Sequence, residues 1–318
     1  MLGGTLPGRA ALDDLAQRLD AALHDVYHIE RELGGGTASR LFLAVERGLE
    51  RRVVIKVLSP DAASEVSAAR FKREISLAAH LQHPHILPVL RAGAHENLLY
   101  YVMPYLEGES LRHRLQREGA LPIEDCLTIL REVADALAVA HAAGVVHRDV
   151  KPGNILLQGG HAVLTDFGVA RALEEARGGR RLTDPGTAVG TPGYMSPEQA
   201  VGESQVDARS DVYAVAIVGY EMLTGAPPFT GRTVQAVVAA HLSQAPRPLR
   251  EVRPDVPGAL ADAIGRALAK DPADRFQTAA AFRDALPSAA GAAPRGRRSG
   301  LRALAAGLAA LAGFHRGR

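Results

Sequence analysis

The residues best suited to chemistry lie in one short segment, VVHRDVKPGN, at residues 145–154. Asp149, Lys151 and Asn154 bring a carboxylate, an ammonium group and an amide close together, and Asp166 follows in LTDFGVAR. A carboxylate can accept the proton of a hydroxyl group, and magnesium prefers hard oxygen ligands of the carboxylate and amide kind. Asp, Pro, Gly and Asn are also common in solvated turns, which is the alternative interpretation of this segment taken alone.

A lysine lies inside an apolar, strand-like run near the start of the chain. Lys56 stands in VVIKVL, and Glu74 follows eighteen residues later in FKREI, within a helical pattern. A lysine in such a run can simply extend its ammonium group to solvent from an edge strand. The carboxylate on the following helix weakens that interpretation.

Three consecutive glycines precede that lysine, in LGGGTASRLF at residues 33–42. Backbone N–H groups of glycine-rich loops can approach phosphate closely. The last glycine of the pattern G-x-G-x-x-G is replaced by Ser39. On its own, the segment is therefore a weak phosphate-binding signal that also fits a flexible turn.

In their order and spacing these segments resemble the protein kinase family, and most closely its bacterial, eukaryotic-like serine/threonine members. The catalytic loop H-R-D-x-x-x-x-N and the D-F-G motif are both present, and GTPGYMSPEQA at 190–200 resembles the end of an activation segment, with SPE where A-P-E is usual. The resemblance covers residues 27–286. Its matched motif residues are His147, Arg148, Asp149, Asn154, Asp166, Phe167 and Gly168.

The resemblance implies an α+β, bilobal protein-kinase fold. A small antiparallel sheet with one main helix would form the N-lobe, 27–103, followed by a hinge, 104–109, and a mainly helical C-lobe, 110–286. The hydrophobic periodicity agrees with this division. It predicts strands at Ile86–Arg91 and Leu98–Met103 and helices over 63–81, 122–144 and 210–225, besides the earlier strand-like runs.

Roles follow for the polar residues by the same resemblance. Asp149 would deprotonate the substrate hydroxyl, Lys151 would steady the γ-phosphate of ATP, and Lys56, paired with Glu74, would hold the α- and β-phosphates. Mg²⁺, with Mn²⁺ as an alternative, is the implied metal. Its implied ligands are Asn154 and Asp166.

The resemblance also assigns an adenine and phosphate pocket, with Met103 as gatekeeper and the backbone of Pro104 and Leu106 facing the adenine edge. Val54 replaces the usual alanine, which narrows the ceiling of the pocket. The remaining pocket residues are Leu33, Gly34, Gly35, Gly36, Leu41, Ser110 and Leu156.

The segment between Phe167 and Gly190 resembles an activation loop, in which Thr183 and Thr187 are candidates for autophosphorylation. Lys151 and the docking residue Thr191 favour Ser/Thr rather than Tyr as the acceptor. The other implied roles are structural. Asp211 would support the catalytic loop and Arg275 would pair with Glu198, alongside His147, Arg148, Phe167 and Gly168.

Two other functions remain open on the sequence. A pseudokinase scaffold would be expected to lack Lys56, Asp149 or Asp166, and all three are present. A small-molecule phosphotransferase of related fold would be expected to lack an activation segment that ends in S/A-P-E. Protein substrates bearing Ser or Thr are therefore the implied partners.

Composition sets further limits. A net charge of +2 gives no argument for nucleic acid binding. The single cysteine, Cys126, in an apolar helical pattern, predicts a buried thiol and fits a reducing cytosol. No signal peptide is expected at the N-terminus. We therefore expect a cytoplasmic protein, and the resemblance adds a homodimer through the N-lobe as a further option.

The flanks form separate segments: a helical extension at 1–26, a Pro/Gly/Ala/Arg linker at 287–300 and an apolar stretch with basic flanks at 301–318. The apolar part, 301–314, would cover about 21 Å as a helix, against a membrane core of about 30 Å. Three alternatives remain open for it: a soluble or partner-binding helix, a peripheral contact at the inner face of the membrane, and a spanning helix.

Overall fold

The computed structural model describes residues 8–36, 39–59, 63, 68–95, 98–167, 192–203 and 206–288. The chain divides into two units, Met1–Pro287 and Ser288–Arg318. In the first unit a β-rich N-terminal lobe precedes a mainly helical C-terminal lobe, which confirms the expected α+β, bilobal class. The apolar segment 301–314 lies outside the described residues.

Five antiparallel strands form the sheet of the N-lobe, in the order β1-β2-β3-β5-β4. Helix α1 (Gly8–Leu23) precedes the sheet, and helix α2 (Ala68–Ala79) follows its third strand. The strands are β1 (Tyr27–Gly35), β2 (Ser39–Glu46), β3 (Arg51–Leu58), β4 (Arg91–His95) and β5 (Leu98–Pro104).

Strand β3 is buried on both faces, which explains its unbroken apolar run. Successive side chains of a strand point to opposite faces. Val53 and Ile55 accordingly lie in one apolar cluster with Leu19 of α1, whereas Val54 lies in another with Phe71 of α2. Lys56 shares the face of Val54 by this alternation, so β3 delivers its ammonium group toward the α2 side of the sheet.

The strand predicted at Ile86–Arg91 is wrong in position. Strand β4 begins only at Arg91, and Ile86 instead forms an isolated bridge to Leu164 of the C-lobe. Two backbone hydrogen bonds, Leu87 N to Leu164 O and Leu164 N to His85 O, both 2.9 Å, fix that bridge. The extended segment therefore ties the two lobes together instead of lengthening the N-lobe sheet.

Two long helices form the centre of the C-lobe. Helices α4 (Ile123–Ala142) and α6 (Ala208–Thr224) match the predicted helices, and α6 ends at Gly225 in the left-handed conformation, with φ of 82°. Helix α6 is apolar around most of its circumference because it is buried on nearly every side. The other helices are α3 (Leu111–Glu118), α5 (Pro197–Ala200), α7 (Val234–Ser243), α8 (Leu249–Val252), α9 (Gly258–Ala267) and α10 (Ala279–Ala285).

A small sheet places the polar segments beside one another. It contains β6 (Glu109–Ser110), β7 (Ile155–Gln158) and β8 (His161–Leu164), and β7 pairs with β8 as an antiparallel hairpin. A 3₁₀ turn, Pro152–Asn154, leads into β7, and Thr165 N donates to Asn154 O at 2.9 Å just beyond β8. The hairpin thus brings the loop before β7 against the segment after β8.

Within the described ranges, no helix is both long enough and apolar enough to cross a membrane.

Candidate active site

The loop between α4 and β7 holds three polar side chains in mutual contact. Lys151 Nζ lies 2.7 Å from Asp149 Oδ2 and 3.0 Å from Oδ1. Asn154 Nδ2 donates to the backbone oxygen of Asp149 at 2.8 Å and to its Oδ2 at 3.0 Å. The side chain of Asp149 is 38% exposed, so its carboxylate is held in place yet open to a substrate. The amide nitrogen of Asn154 is used in these contacts, and its amide oxygen is an acceptor of the kind that a metal ion can use.

A buried carboxylate on α6 supports this loop from beneath. Asp211 accepts the backbone N–H groups of His147 and Arg148 and the ring nitrogen Nε2 of His141, each at 2.8 Å. Burial raises the pKa of Asp211, but the hydrogen bonds and the neighbouring histidines outweigh it and lower that pKa overall. Arg148 has a positive φ of 66°, a conformation that needs such external support. The contact predicted for Asp211 is present.

Asp166 lies just after β8 and, among the described residues, receives donors from Lys56 and Tyr101. Its Oδ2 is 2.7 Å from Lys56 Nζ, and its Oδ1 accepts the hydroxyl of Tyr101 at 2.5 Å. Burial raises the pKa of Asp166, yet the nearby Lys56 and the two hydrogen bonds lower it overall, so the carboxylate is ionised at neutral pH. The φ of Asp166 is 70°, which places a non-glycine residue in the left-handed region.

The expected ion pair between Lys56 and Glu74 is not the pair that this conformation contains. Among the described residues, the ion pair of Lys56 is with Asp166, and the carboxylate of Glu74 lies 3.4 Å from Arg73 Nη2. Glu74 is 3% exposed on α2. A physical reason is that Tyr101 fixes Asp166 beneath β3, so Lys56 meets a carboxylate that is already held in place.

Sequence reasoning missed Tyr101. It stands two residues before Met103 and opposite Lys56 in the register of β3 and β5, which puts all three side chains on the same face of the sheet. Burial and the adjacent Asp166 raise the pKa of Tyr101 well above its ordinary value, so its hydroxyl acts as a donor. The signal was the period of two along β5, but using it required the register of the sheet.

His147 links the loop to the segment after β8. Its Nε2 lies 2.7 Å from Thr165 O, and its ring meets Phe167 edge-on with 4.6 Å between the centroids. Both side chains are buried, with His147 at 0% exposure. These contacts fit the structural role predicted for both residues.

The three glycines at the end of β1 and just after it have different environments. Gly34 has a φ of 131°, where side chains are strained, and a Cβ built on Gly34 or Gly36 meets open space. A Cβ on Gly35 would collide with the backbone of Ser39 and Arg40 on the paired strand. The outer two glycines thus leave the room that a phosphate group would need, and Gly35 permits the tight hairpin.

Most of the apolar residues predicted to surround adenine belong to one cluster, which also contains Val163 of the C-lobe. Val54 is 8% exposed and pairs with Met103, which is 7% exposed, while Leu33 is 37% exposed. Leu41, Leu106 and Leu156 are partly buried against the same cluster. Strand β3 also pairs with β5 at Pro104, opposite Val53.

Ser110 has a second task that the sequence did not reveal. Its hydroxyl accepts the backbone N–H of His113 at 3.2 Å and so caps the N-terminus of α3. Its backbone pairs with Leu156 across β6 and β7. Its predicted place in the nucleotide pocket stays a prediction, and its side chain is engaged in the cap.

The donor set fits a magnesium–nucleotide complex. Magnesium takes few protein ligands when phosphates supply the rest, and the side chains of Asn154 and Asp166 offer one amide oxygen and one carboxylate. No group of three or more His, Cys, Asp or Glu among the described residues could hold a metal ion alone. The residues therefore fit a metal that is held jointly by protein and phosphate.

A buried ion pair fixes the segment that follows the activation loop. Arg275 Nη1 and Nη2 lie 2.8 and 2.9 Å from the two oxygens of Glu198, and Arg275 is fully buried. This is the predicted pair. Its neighbour Gln199, which the sequence did not single out, donates from Nε2 to Arg148 O at 2.8 Å. The segment is thereby fastened to the catalytic loop.

Two other features lie away from the site. Cys126 is fully buried, as predicted, and burial raises the pKa of its thiol to about 12. In the segment HPH at 83–85, His83 Nε2 lies 3.2 Å from Asp135 Oδ2 and His85 Nδ1 lies 2.8 Å from Ala162 O.

Four predicted residues, Gly168, Thr183, Thr187 and Thr191, lie outside the described residues.

Fold and site together define a bilobal α+β protein whose glycine loop and strand lysine stand above an Asp–Lys–Asn loop. The sequence matches the protein kinase domain over residues 27–286. The chain belongs to the protein kinase family.

Curated relatives of this chain are named serine/threonine-protein kinases. Serine/threonine-protein kinase PknB of Mycolicibacterium smegmatis is 42% identical over 267 residues, which cover 82% of this chain and 42% of the relative. The PknB of Mycobacterium tuberculosis is 40% identical over 267 residues, with the same coverage of 82% and 42%. A probable PknB of Bifidobacterium longum is 37% identical over 268 residues, 81% of this chain and 38% of the relative. The chain spans about two fifths of the length of these relatives.

Proposed function

We propose that this chain transfers the γ-phosphoryl group of ATP to Ser and Thr hydroxyls of protein substrates in bacterial signalling. The observation that carries the proposal is the contact of Asp149 with Lys151 and Asn154, together with the partly buried ion pair of Asp166 and Lys56. The relatives named serine/threonine-protein kinase support Ser and Thr as the acceptors.

Each polar group has a task in such a transfer. Asp149 is open to solvent, accepts the proton of the attacking hydroxyl and orients its oxygen. Lys151 balances negative charge on the transferred group, next to the carboxylate that it contacts. Bound ATP with its metal ion supplies the phosphoryl group and neutralises its charge. Asn154 and Asp166 hold the metal, for which we propose Mg²⁺, with Mn²⁺ as the alternative.

Lys56 is proposed to change partners during activation. In the described conformation it contacts Asp166. When Lys56 holds the α- and β-phosphates, we propose that Glu74 becomes its partner, as in the family, and that Oδ2 of Asp166 is thereby released for the metal. A movement of α2, which carries Glu74, would then act as a switch.

Autophosphorylation is proposed for the activation loop, at Thr183 or Thr187. A phosphate adds about −1.5 to −2 charge and strong acceptors, and Arg148 next to Asp149 is a candidate partner. Thr191 is proposed to contact the substrate. Phosphopeptide mapping after incubation with Mg²⁺ and ATP tests the autophosphorylation of the loop, with Asp149→Asn as the control. An unmodified loop in a wild type that phosphorylates another protein would contradict the proposal.

Location and assembly are proposals as well. We propose a cytoplasmic enzyme, with a peripheral contact of 301–314 at the inner face of the membrane and a homodimer through the N-lobe as two further options. Helix α1 covers the outer face of the N-lobe sheet, so a dimer on that side would form through α1. Fractionation of cells that express the full chain or residues 1–290 tests the membrane contact. Equal distribution of both would contradict it.

The proposed reaction is tested with labelled ATP, Mg²⁺ and a generic basic protein. We expect phosphoserine and phosphothreonine after acid hydrolysis of the product. A pseudokinase would bind nucleotide without transfer, and a small-molecule phosphotransferase would label no protein hydroxyl. Either of these results, obtained with folded wild-type protein, would overturn the proposal.

A further inference from the structure

Tyr101 places a polar group where the sheet otherwise packs apolar side chains against α2. It is 1% exposed and lies in the cluster with Val54, Phe71, Ile75 and Met103. A buried hydroxyl without a partner is costly, and here its partner is Asp166 Oδ1 at 2.5 Å. The hydroxyl of Tyr101 thus contacts the carboxylate that is proposed to hold the metal.

The two donors on Asp166 differ in kind. Lys56 brings a charge to Oδ2, whereas Tyr101 brings a neutral hydroxyl to Oδ1. The proposed function requires Lys56 to move to the phosphates, which releases Oδ2. Tyr101 is held by strand pairing and by packing in its apolar cluster, so the position of its hydroxyl does not depend on that movement.

We propose that Tyr101 is a positioning residue that holds the Asp166 carboxylate, by its hydroxyl on Oδ1, in the orientation in which it receives the metal of the nucleotide complex. The proposal rests on the proposed function and deepens it. Partners that orient a metal ligand are worth about 10- to 100-fold in metal affinity or activity. Without the hydroxyl, Asp166 has to be ordered when the metal binds, at a cost in affinity.

The test is a binding measurement on the full chain with a non-hydrolysable ATP analogue, by calorimetry, in Mg²⁺ and in EDTA. Tyr101→Phe removes only the hydroxyl and keeps the packing. We expect its affinity in EDTA to match that of the wild type, and the gain in affinity on adding Mg²⁺ to fall about 10-fold.

Tyr100→Phe is the matched control. Tyr100 is the neighbouring residue of β5, is 5% exposed and lies in the cluster on the opposite face of the sheet. It should retain the full gain from Mg²⁺. An unchanged gain in Tyr101→Phe, or an equal loss of affinity in Mg²⁺ and in EDTA, would overturn the proposal, because an equal loss indicates damaged packing.

Failure of the role proposed for Tyr101 can be distinguished from failure of the proposed kinase function. Metal-dependent binding that drops in Tyr101→Phe would support the role of Tyr101 even in a wild type that transfers no phosphate. A wild type that transfers phosphate, with a Tyr101→Phe variant that binds Mg²⁺ and the analogue normally, would overturn the role of Tyr101 alone.

Discussion

Asp211 shows how a residue remote from the reacting groups can determine their geometry. Its side chain is 1% exposed and accepts three N–H donors, two of them from the backbone of the catalytic loop. An ionised acceptor makes stronger hydrogen bonds than a neutral one. The negative charge at this position therefore keeps His147 and Arg148 in place just before Asp149.

Replacing that carboxylate should loosen the loop. Asp211→Asn exchanges one acceptor oxygen for an N–H₂ group, which faces a backbone donor, and hydrogen bonds to charged groups are worth about 1.5–3 kcal/mol. We expect a loss of about 2–3 kcal/mol in the free energy of unfolding in urea and a fall in phosphoryl transfer. Asp284→Asn, at a 67% exposed side chain, is the control and should change neither. Full transfer activity in Asp211→Asn would contradict the supporting role.

At the scale of elements, α1 closes the outer face of the N-lobe sheet. Leu15, Leu19 and Leu23 are buried, and Leu19 is 0% exposed. They pack with Phe42 of β2 and Ile55 of β3. The sheet consequently has helices on both faces, α1 outside and α2 on the side of the site, and the stability of β3 depends on both.

Truncation of Leu19 tests the contribution of α1. Leu19→Ala leaves a cavity between α1 and the sheet, and buried Leu→Ala changes cost about 2–5 kcal/mol. We expect the free energy of unfolding in a denaturant titration to fall by that amount. Nucleotide binding should also weaken under conditions in which β3 unfolds. Leu77→Ala makes the same chemical change at a 47% exposed position of α2 and should cost far less. Equal losses from the two variants would show that α1 does not stabilise the sheet.

At the scale of the whole molecule, buried ionisable groups link folding to pH. His241 is 0% exposed, and burial, with a smaller contribution from Lys270, lowers its pKa from 6.5 to about 4. Its Nδ1 lies 3.0 Å from the hydroxyl of Tyr213. The folded chain thus keeps His241 neutral in a pH range in which the unfolded chain protonates it.

Stability should therefore fall as the pH drops from about 6.5 to about 4, because the unfolded state binds more protons there. The shift corresponds to about 3 kcal/mol at the lower end. Below about pH 4 a second loss follows from Asp166, Asp211 and Glu198, whose folded pKa values are lowered. Urea unfolding from pH 7 to 4 measures how the free energy of unfolding falls over the first pH range, and His241→Gln should reduce this dependence on pH. The exposed His113→Gln should leave the wild-type slope, and an unchanged slope in His241→Gln would contradict the assignment.

The sequence was enough to predict contacts between residues of one loop, but it missed contacts that depend on the register of paired strands. Asp149, Lys151 and Asn154 lie in one loop, so their types and spacing were enough. The contact of Tyr101 with Asp166 joins positions that only the pairing of β3 with β5 and the β7–β8 hairpin bring together. The choice of Lys56 between Asp166 and Glu74 depends on conformation, which spacing does not encode. The strand at residues 86–91 was misplaced because its partner is Leu164, in the other lobe.

The most direct test of the central claim is phosphoryl transfer from ATP by the full chain and by Asp149→Asn. The variant removes the proposed proton acceptor yet keeps the size of the side chain beside Lys151 and Asn154. Asp255→Asn, at a 65% exposed side chain, is the matched control. We predict label on Ser and Thr for the wild type and the control, and a loss of at least about 100-fold for Asp149→Asn. Equal labelling by Asp149→Asn and the wild type would contradict the account.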